Sequence, residues 1–505
     1  MLDAIREEKR RERVLAALLL ALGALLRLAF LGALPYGLNQ DEASAGYEAW
    51  ALLTAGVDRC GKSWPVLFIS WGSGQNVLMS YLAMPFIALF GLGEWTLRLP
   101  NAISGCLTLV VFWRLAYRCG GRRFGLLALF LLAVNPWHIM MSRWALESNL
   151  LPFFLLTGVW CTSLARDKPW ALAGASACFG LALYAYGTAF FFLPVYLICA
   201  VVWLRRELRP ASFLVSLAIF AVLALPIALC QLRDALGLPE LTVLGVTLPR
   251  LTEGRQAATS VFGGGGWALA KENFRAFLDI LRRGGDGLPW NTMPFWRGGI
   301  FYFFGLPTAV LGIVRSVLAR KDRAEEAPMR FALLSGLLCA FLIRVNVNRI
   351  NMIWLPLVYF SAVGCGWIFR LLRRWAAVPL AGIAVCFLLF LTSYTAALGG
   401  KWNVNFFPGL GGAIREAEQT GAETVYVTDR VNQPYIFALF YTQTPPDTFA
   451  DSVVYRNPNG AFRHVERFSG FEFADPDLAD VEVRFAWDAG GREVLARSGQ
   501  FVVCR

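Results

Sequence analysis

The residues best equipped for chemistry lie in Asn39-Gln40-Asp41-Glu42-Ala43-Ser44-Ala45-Gly46-Tyr47-Glu48-Ala49-Trp50, directly after the first long apolar segment. Adjacent carboxylates where a chain leaves hydrocarbon can take a proton from an incoming nucleophile, which is a general-base role. The stretch also reads as a helix start. Asn39 and Glu42 stand in capping-box spacing, Asp41 and Glu42 suit the positive end of a helix, and Gly56 would close that helix after about Thr54. Both readings can hold together, because a capped helix fixes a carboxylate rigidly. Cations stand at the ends of apolar runs: Arg27, Arg98, Arg143 with Glu147, and Arg349. Each has a plain reading beside a functional one: snorkelling for Arg27, interfacial anchoring for Arg98, an i,i+4 pair for Arg143 and Glu147.

What must position these residues follows from composition. The chain has 505 residues, 57% of them hydrophobic and only 16% charged, with a mean hydropathy of +0.52, so its solvent is mostly lipid and it reads as a polytopic membrane protein. The formal charge of +12 falls in short clusters between apolar runs rather than on one stripe. Topology therefore explains it better than nucleic acid, which is not expected as a partner. The eleven cysteines stand singly with no CxxC pair, against a disulfide framework or thiolate metal site. Only Cys60, Cys230 and Cys504 could face an outer compartment, and the sequence does not pair them.

In chain order, a basic N-terminus through Arg13 precedes an apolar run, 14–31, that resembles a signal peptide but lacks a small-residue cleavage site. It is read as a retained first span with the N-terminus in the cytoplasm. If 77–90 were a span, every later basic cluster would fall outside; as an interfacial helix on the outer surface it leaves them all inside. Spans are then expected at 14–31, 98–117, 123–141, 149–165, 170–187, 188–204, 212–230, 300–318, 330–346, 351–369 and 376–396, about eleven in all, an odd number that puts the C-terminus outside. The fold class is an all-α polytopic membrane domain, 1–397, with a C-terminal extracytoplasmic α/β domain, 398–505, in the plasma membrane. Outer loops 34–97 and 231–299 carry candidate chemistry, the second with a glycine run at Gly263–Gly266 and an amphipathic stretch, 267–281, suited to a mobile lid. In the outer domain a helix is expected at 411–420, a buried strand at 424–428, a short helix at 435–441 and a half-buried strand at 481–487.

The order Leu26-Arg27-Leu28, Pro35, Asp41-Glu42-Ala43 with Gly46-Tyr47, Tyr81-Leu82, Phe90-Gly91, Leu97-Arg98-Leu99-Pro100, Asn135-Pro136-Trp137-His138, Ser142-Arg143 and Glu147-Ser148-Asn149 resembles bacterial protein mannosyltransferase-like and aminoarabinose-transferase-like enzymes. These are GT-C glycosyltransferases. The likeness covers most of the first 200 residues and resumes at Arg349 with Pro356 and at Pro434-Tyr435-Ile436-Phe437. It implies transfer of a sugar from a polyprenyl-phosphate carrier to an acceptor glycan, lipid or protein on the outer face, with Asp41 at the position of the family's base.

Lipid phosphate is a leaving group of low basicity, so one carboxylate must deprotonate the acceptor hydroxyl and cations must hold the phosphate, with no general acid required. Asp41 is expected as base and Glu42 as the neighbour that orients the acceptor or raises its basicity. Arg98 is expected as phosphate clamp, Arg143 and Arg349 as secondary phosphate or sugar contacts, Glu147 as a sugar-hydroxyl or Arg143 partner, and Arg27 facing the same cavity. One direct displacement inverts the anomeric centre. With only His138 and His464 in the chain, and no alternating DxD spacing, no metal or other cofactor is expected. The lysine that such enzymes often carry before the interfacial helix is replaced here by Trp71-Gly72-Ser73-Gly74-Gln75-Asn76; Lys62 or Arg27, or the two amides, would substitute. The rival reading is a lipid or polysaccharide transporter or flippase. It would place ionisable groups at mid-membrane on broken helices, often in duplicated halves; here the acidic pair is in a loop and no repeat is visible.

Overall fold

The computed structural model describes residues 2–71, 74–251, 260–263, 265–288, 299–320, 323–396, 405–458, 460 and 463–505. It is mostly helical with a β-sheet domain at the C-terminus. The helices α1 (Leu2–Leu28), α2 (Gln40–Ala55), α3 (Leu78–Phe90), α4 (Glu94–Ala133), α5 (Pro136–Ser142), α6 (Leu151–Leu164), α7 (Ala171–Ala185), α8 (Ala189–Leu204) and α9 (Pro210–Ala235) are followed by Gly266–Arg283, Gly305–Leu318, Ala327–Leu342, Trp354–Leu372 and Ala377–Ala396. The segments expected at 98–117 and 123–141 meet within α4 at a break in the helix at Gly121, whose φ of 76° and ψ of −168° are non-helical and suit a residue without a Cβ.

Helices thus stand at the expected segments, but as membrane spans the outcome is narrower. By length and composition, three helical stretches among the described residues suffice to cross a membrane: Glu94–Ala133, Pro210–Ala235 and Asn351–Ala396. Thr162 and Ser335, inside apolar helices, bond to their own preceding turn, Thr162 Oγ1 to Gly158 O at 2.8 Å and Ser335 Oγ to Phe331 O at 2.8 Å, so these two hydroxyls are not left bare in apolar surroundings. Gly305–Leu318 and Trp354–Leu372 approach through glycines: a Cβ on Gly312 would sit 1.9 Å from Phe360 O, the small-residue packing that lets two backbones meet.

The expected boundary at 397–398 lies outside the described residues. Beyond it, helices Leu410–Gln419 and Pro434–Thr442 and the strands Val425–Val427 and Val481–Phe485 stand where the periodicity puts them. The sheet runs β10 (Val494–Ser498), β11 (Phe501–Cys504), β9 (Val481–Phe485), β5 (Val425–Val427), β8 (Phe471–Glu472), β7 (Val465–Phe468), β6 (Val454–Tyr455). β5 is parallel to both neighbours and the other pairs are antiparallel. Val481, Val483 and Phe485 are buried while Glu482 and Arg484 between them are partly exposed. In loop 231–299 the helix Gly266–Arg283 covers the expected amphipathic stretch, and a hairpin, β3 (Leu241–Val243) with β4 (Val246–Leu248), was not foreseen.

The C-terminal domain rests on loop 34–97. Pro434–Thr442 packs against α2, where a Cβ on Gly46 would lie 2.6 Å from Phe440 Cε2. Tyr47 donates from its hydroxyl to Thr444 O at 2.6 Å, and Tyr441 to Glu94 Oε1 at 2.8 Å.

Candidate active site

α2 starts as its sequence dictates. Asn39 Oδ1 accepts from Asp41 N at 2.9 Å and Glu42 Oε2 accepts from Asn39 N at 3.2 Å, closing the capping box, and Gly56 ends the helix with φ 71°. The cap turns the two carboxylates of the first turn apart.

Asp41 faces a cavity of about 240 Å³ lined by Asn39, Gln40, Trp71, Gly74, Gln75, Trp144, Leu146, Glu147, Ser148, Tyr186, Leu288, Asn346, Asn348 and Arg349. Trp71 Nε1 donates to Asp41 Oδ1 at 3.4 Å, and Gln75 Nε2 to Asp41 O at 3.3 Å. Glu147 shares the cavity and accepts from Asn76 N. Arg349 enters from the opposite chain segment. Its backbone N–H donates to Asn346 Oδ1 at 2.7 Å, and the loop is held by Asp286 Oδ2 accepting from Val347 N at 3.0 Å. A carboxylate able to accept a proton and a guanidinium able to hold an anion therefore open onto one space, beside amides and aromatic rings suited to sugar hydroxyls and faces.

Four expected site residues do not reach that cavity. Glu42 and Arg98 are 0% exposed and pair bidentately at 2.9 and 3.0 Å. Arg98 spends its remaining N–H groups on Leu31 O, Pro35 O and Gly37 O, at 3.1, 2.7 and 2.6 Å, while Glu42 Oε1 also accepts from Ala145 N at 2.8 Å. With all five donors engaged inside the protein, Arg98 has none left to clamp a phosphate, and Glu42 has no access to an acceptor. Arg143 does not pair with Glu147. It donates to Leu26 O, Ala29 O, Phe30 O and Leu34 O, capping the end of α1. Arg27 returns the favour to α4, donating to Leu132 O and Ala133 O, with His138 Nδ1 and Gly23 O taking its other N–H groups. Guanidinium groups satisfying the last carbonyls of a helix are scaffold interactions.

Three comparisons bear on this arrangement. Residues 75–229 match the family model described as dolichyl-phosphate-mannose-protein mannosyltransferase. Crystal structures of ArnT from Cupriavidus metallidurans, in the apo state and bound to undecaprenyl phosphate, share 14% and 15% identity with the chain, cover 97% of both chains and superpose with TM-scores of 0.57 and 0.58. The oligosaccharyltransferase of Archaeoglobus fulgidus in complex with zinc and sulfate has 13% identity over 86% of this chain and 62% of that one, with a TM-score of 0.52. No curated protein matches significantly. The family model thus matches one part of the chain, and the whole chain shares the fold of ArnT.

The matched stretch holds Gln75, Glu147 and Tyr186 of the cavity, while Asp41 and Arg349 lie on either side of it. The lysine substitutes proposed from sequence are both occupied elsewhere: Lys62 Nζ pairs with Glu240 at 2.7 Å, and Arg27 caps α4. The amides are also engaged, Gln75 Oε1 by Ser44 Oγ at 2.9 Å and Asn76 Nδ2 by Leu183 O at 3.2 Å. Among the described residues no group of three or more His, Cys, Asp or Glu side chains could hold a metal ion.

Sequence reasoning passed over a polar cluster behind the cavity wall. Arg59 sits between Glu48 Oε1, 3.3 Å from its Nε, and the hydroxyls of Ser44 and Ser70, at 2.9 and 3.2 Å. Asp58 Oδ1 accepts from Cys60 N and Lys62 N, both at 2.8 Å. Burial pushes Glu48 up to about 7 and Asp58 up to about 6; Arg59 and backbone N–H groups pull both down, and burial is the larger effect. The signal available was Asp58-Arg59 interrupting loop 34–97.

Proposed function

We propose that the protein transfers a sugar from a polyprenyl-phosphate carrier to an acceptor glycan, lipid or protein on the outer face of the plasma membrane. The topology of this reading has about eleven spans, a cytoplasmic N-terminus and the C-terminal domain outside. Asp41 takes the proton of the acceptor hydroxyl, whose oxygen attacks the anomeric carbon. The polyprenyl phosphate leaves, Arg349 meets its charge, and the anomeric centre inverts in the single displacement. Glu147 holds sugar hydroxyls.

The observation that carries this reading is the shared cavity of Asp41 and Arg349 in a chain with a glycosyltransferase family match. The fold of an enzyme crystallised with undecaprenyl phosphate supports a lipid-phosphate donor. A transferase is favoured over the transporter reading because the titratable groups open onto a loop-built cavity.

Purified protein incubated with polyprenyl-phosphate sugars tests the proposal. Release of free polyprenyl phosphate on addition of acceptor, absent in a folded Asp41→Asn variant, is the expected result. Equal release by that variant removes Asp41 from the mechanism, and no release with any such donor overturns the reading.

A further inference from the structure

We propose that Trp71 is a positioning residue for Asp41, and that the C-terminal domain bears on the proposed chemistry through it. The inference rests on the transfer reading for its consequence, but its geometry stands apart from that reading.

Trp71 has φ 53°, in the left-handed region that a bulky residue rarely adopts. Such a backbone persists where its surroundings over-determine it, and here they do so from several sides. The indole is 5% exposed. The Arg59 guanidinium lies 5.0 Å from the ring centroid, and the Tyr435 ring meets it edge-on at 5.9 Å and 85°. Its carbonyl accepts from Arg463 N at 2.8 Å. Tyr435 and Arg463 belong to the C-terminal domain; Arg59 belongs to loop 34–97. Trp71 is therefore one of the joints at which the two parts meet, and its ring nitrogen, Nε1, points to Asp41 Oδ1 at 3.4 Å.

A second line reaches the same carboxylate's backbone. Arg59 donates to Ser44 Oγ, Ser44 to Gln75 Oε1, and Gln75 Nε2 to Asp41 O. Arg59 is itself fixed by Glu48 on α2, so ring and amide are anchored to one buried ion pair. A bond of 3.4 Å is long in the free protein, as catalytic hydrogen bonds often are before substrate tightens them. An indole N–H on one carboxylate oxygen holds the group in one orientation. Stacking against a sugar would need only the ring, whereas this role needs the N–H.

Trp71→Phe separates the two, because it keeps a ring and loses the donor. The expected result is a fall in kcat of roughly tenfold at unchanged donor KM, a smaller fall in Arg59→Lys, and a double variant no worse than Trp71→Phe alone. Wild-type kcat in Trp71→Phe, or a loss confined to KM, overturns the inference. If Trp71→Phe does not fold, Arg59→Lys decides on the same split. A readout free of turnover accompanies these: the Trp71 indole resonance in tryptophan-labelled protein shifts in Asp41→Asn and in Arg59→Lys. An unmoved resonance in both variants overturns the inference even if the enzyme is active. A shifted resonance in a protein that transfers no sugar supports the positioning contact and strikes only the transfer reading.

Discussion

Asp41 and Glu42 are neighbours on one helical turn, yet they belong to different regions of the molecule. One opens onto the cavity with Glu147 and Arg349; the other is sealed with Arg98 beneath it. The sealed region is dense with main-chain carbonyls, where the chain turns after α1 and at the end of α4, and the guanidinium groups of Arg27, Arg98 and Arg143 donate to them. Among the described residues the Arg349 guanidinium has no ion-pair partner. Charge at a membrane boundary is thus ambiguous until the backbone around it is known: an arginine among unsatisfied helix ends becomes a cap, and one among side-chain amides remains available to a ligand.

The largest effects are expected where the two regions are exchanged. Asp41→Asn should lower transfer by about 10²–10⁴-fold, the range of a lost general base, with thermal unfolding in detergent unchanged. Glu42→Ala should do the reverse in kind: it strands the buried Arg98 charge and costs about 3–5 kcal/mol of stability, seen as a lower Tm and poor recovery of folded protein. Normal melting of Glu42→Ala together with collapse of Asp41→Asn would invert the division drawn here.

Much of the scaffold is legible in the sequence. The capping box of Asn39 and Glu42, the Gly56 stop and the four C-terminal-domain elements follow from local rules, because caps and periodicity act within a few residues. What sequence reading could not order was which charges meet. Arg98 contacts Glu42 across 56 positions, Arg143 reaches α1 across more than a hundred, and Arg59 touches a ring from residue 435. The expected Arg143–Glu147 pair illustrates the failure: i,i+4 spacing makes neighbours only on a continuous helix, and here α5 ends at Ser142 with a turn before Glu147.

Between the two regions in size of effect stands Arg349. Arg349→Ala should raise the donor KM by roughly 10–100-fold, the loss of one hydrogen bond to a charged group, while leaving Tm unchanged. Arg98→Ala should instead lower Tm. A KM unaffected by Arg349→Ala would move the phosphate contact elsewhere.

The smallest effect comes from the buried cluster that neither region contains. Burial raises the Glu48 carboxyl above its unfolded value, to about 7, with Arg59 opposing the shift and Asp58 adding to it. Between the ordinary carboxylate range and pH 7 the folded protein therefore binds more protons than the unfolded one. Glu48 contributes stability that is fully present below its unfolded value and is lost as pH rises through about 7, with a slope no steeper than about 1.4 kcal/mol per pH unit for one proton. Asp58 acts in the same direction over a lower window, ending near 6. Glu48→Gln, a neutral mimic of the protonated acid, should make the fall in denaturation midpoint between pH 5 and 8 shallower without moving the midpoint at pH 5. An identical slope in the two proteins would mean that Arg59 keeps Glu48 ionised throughout.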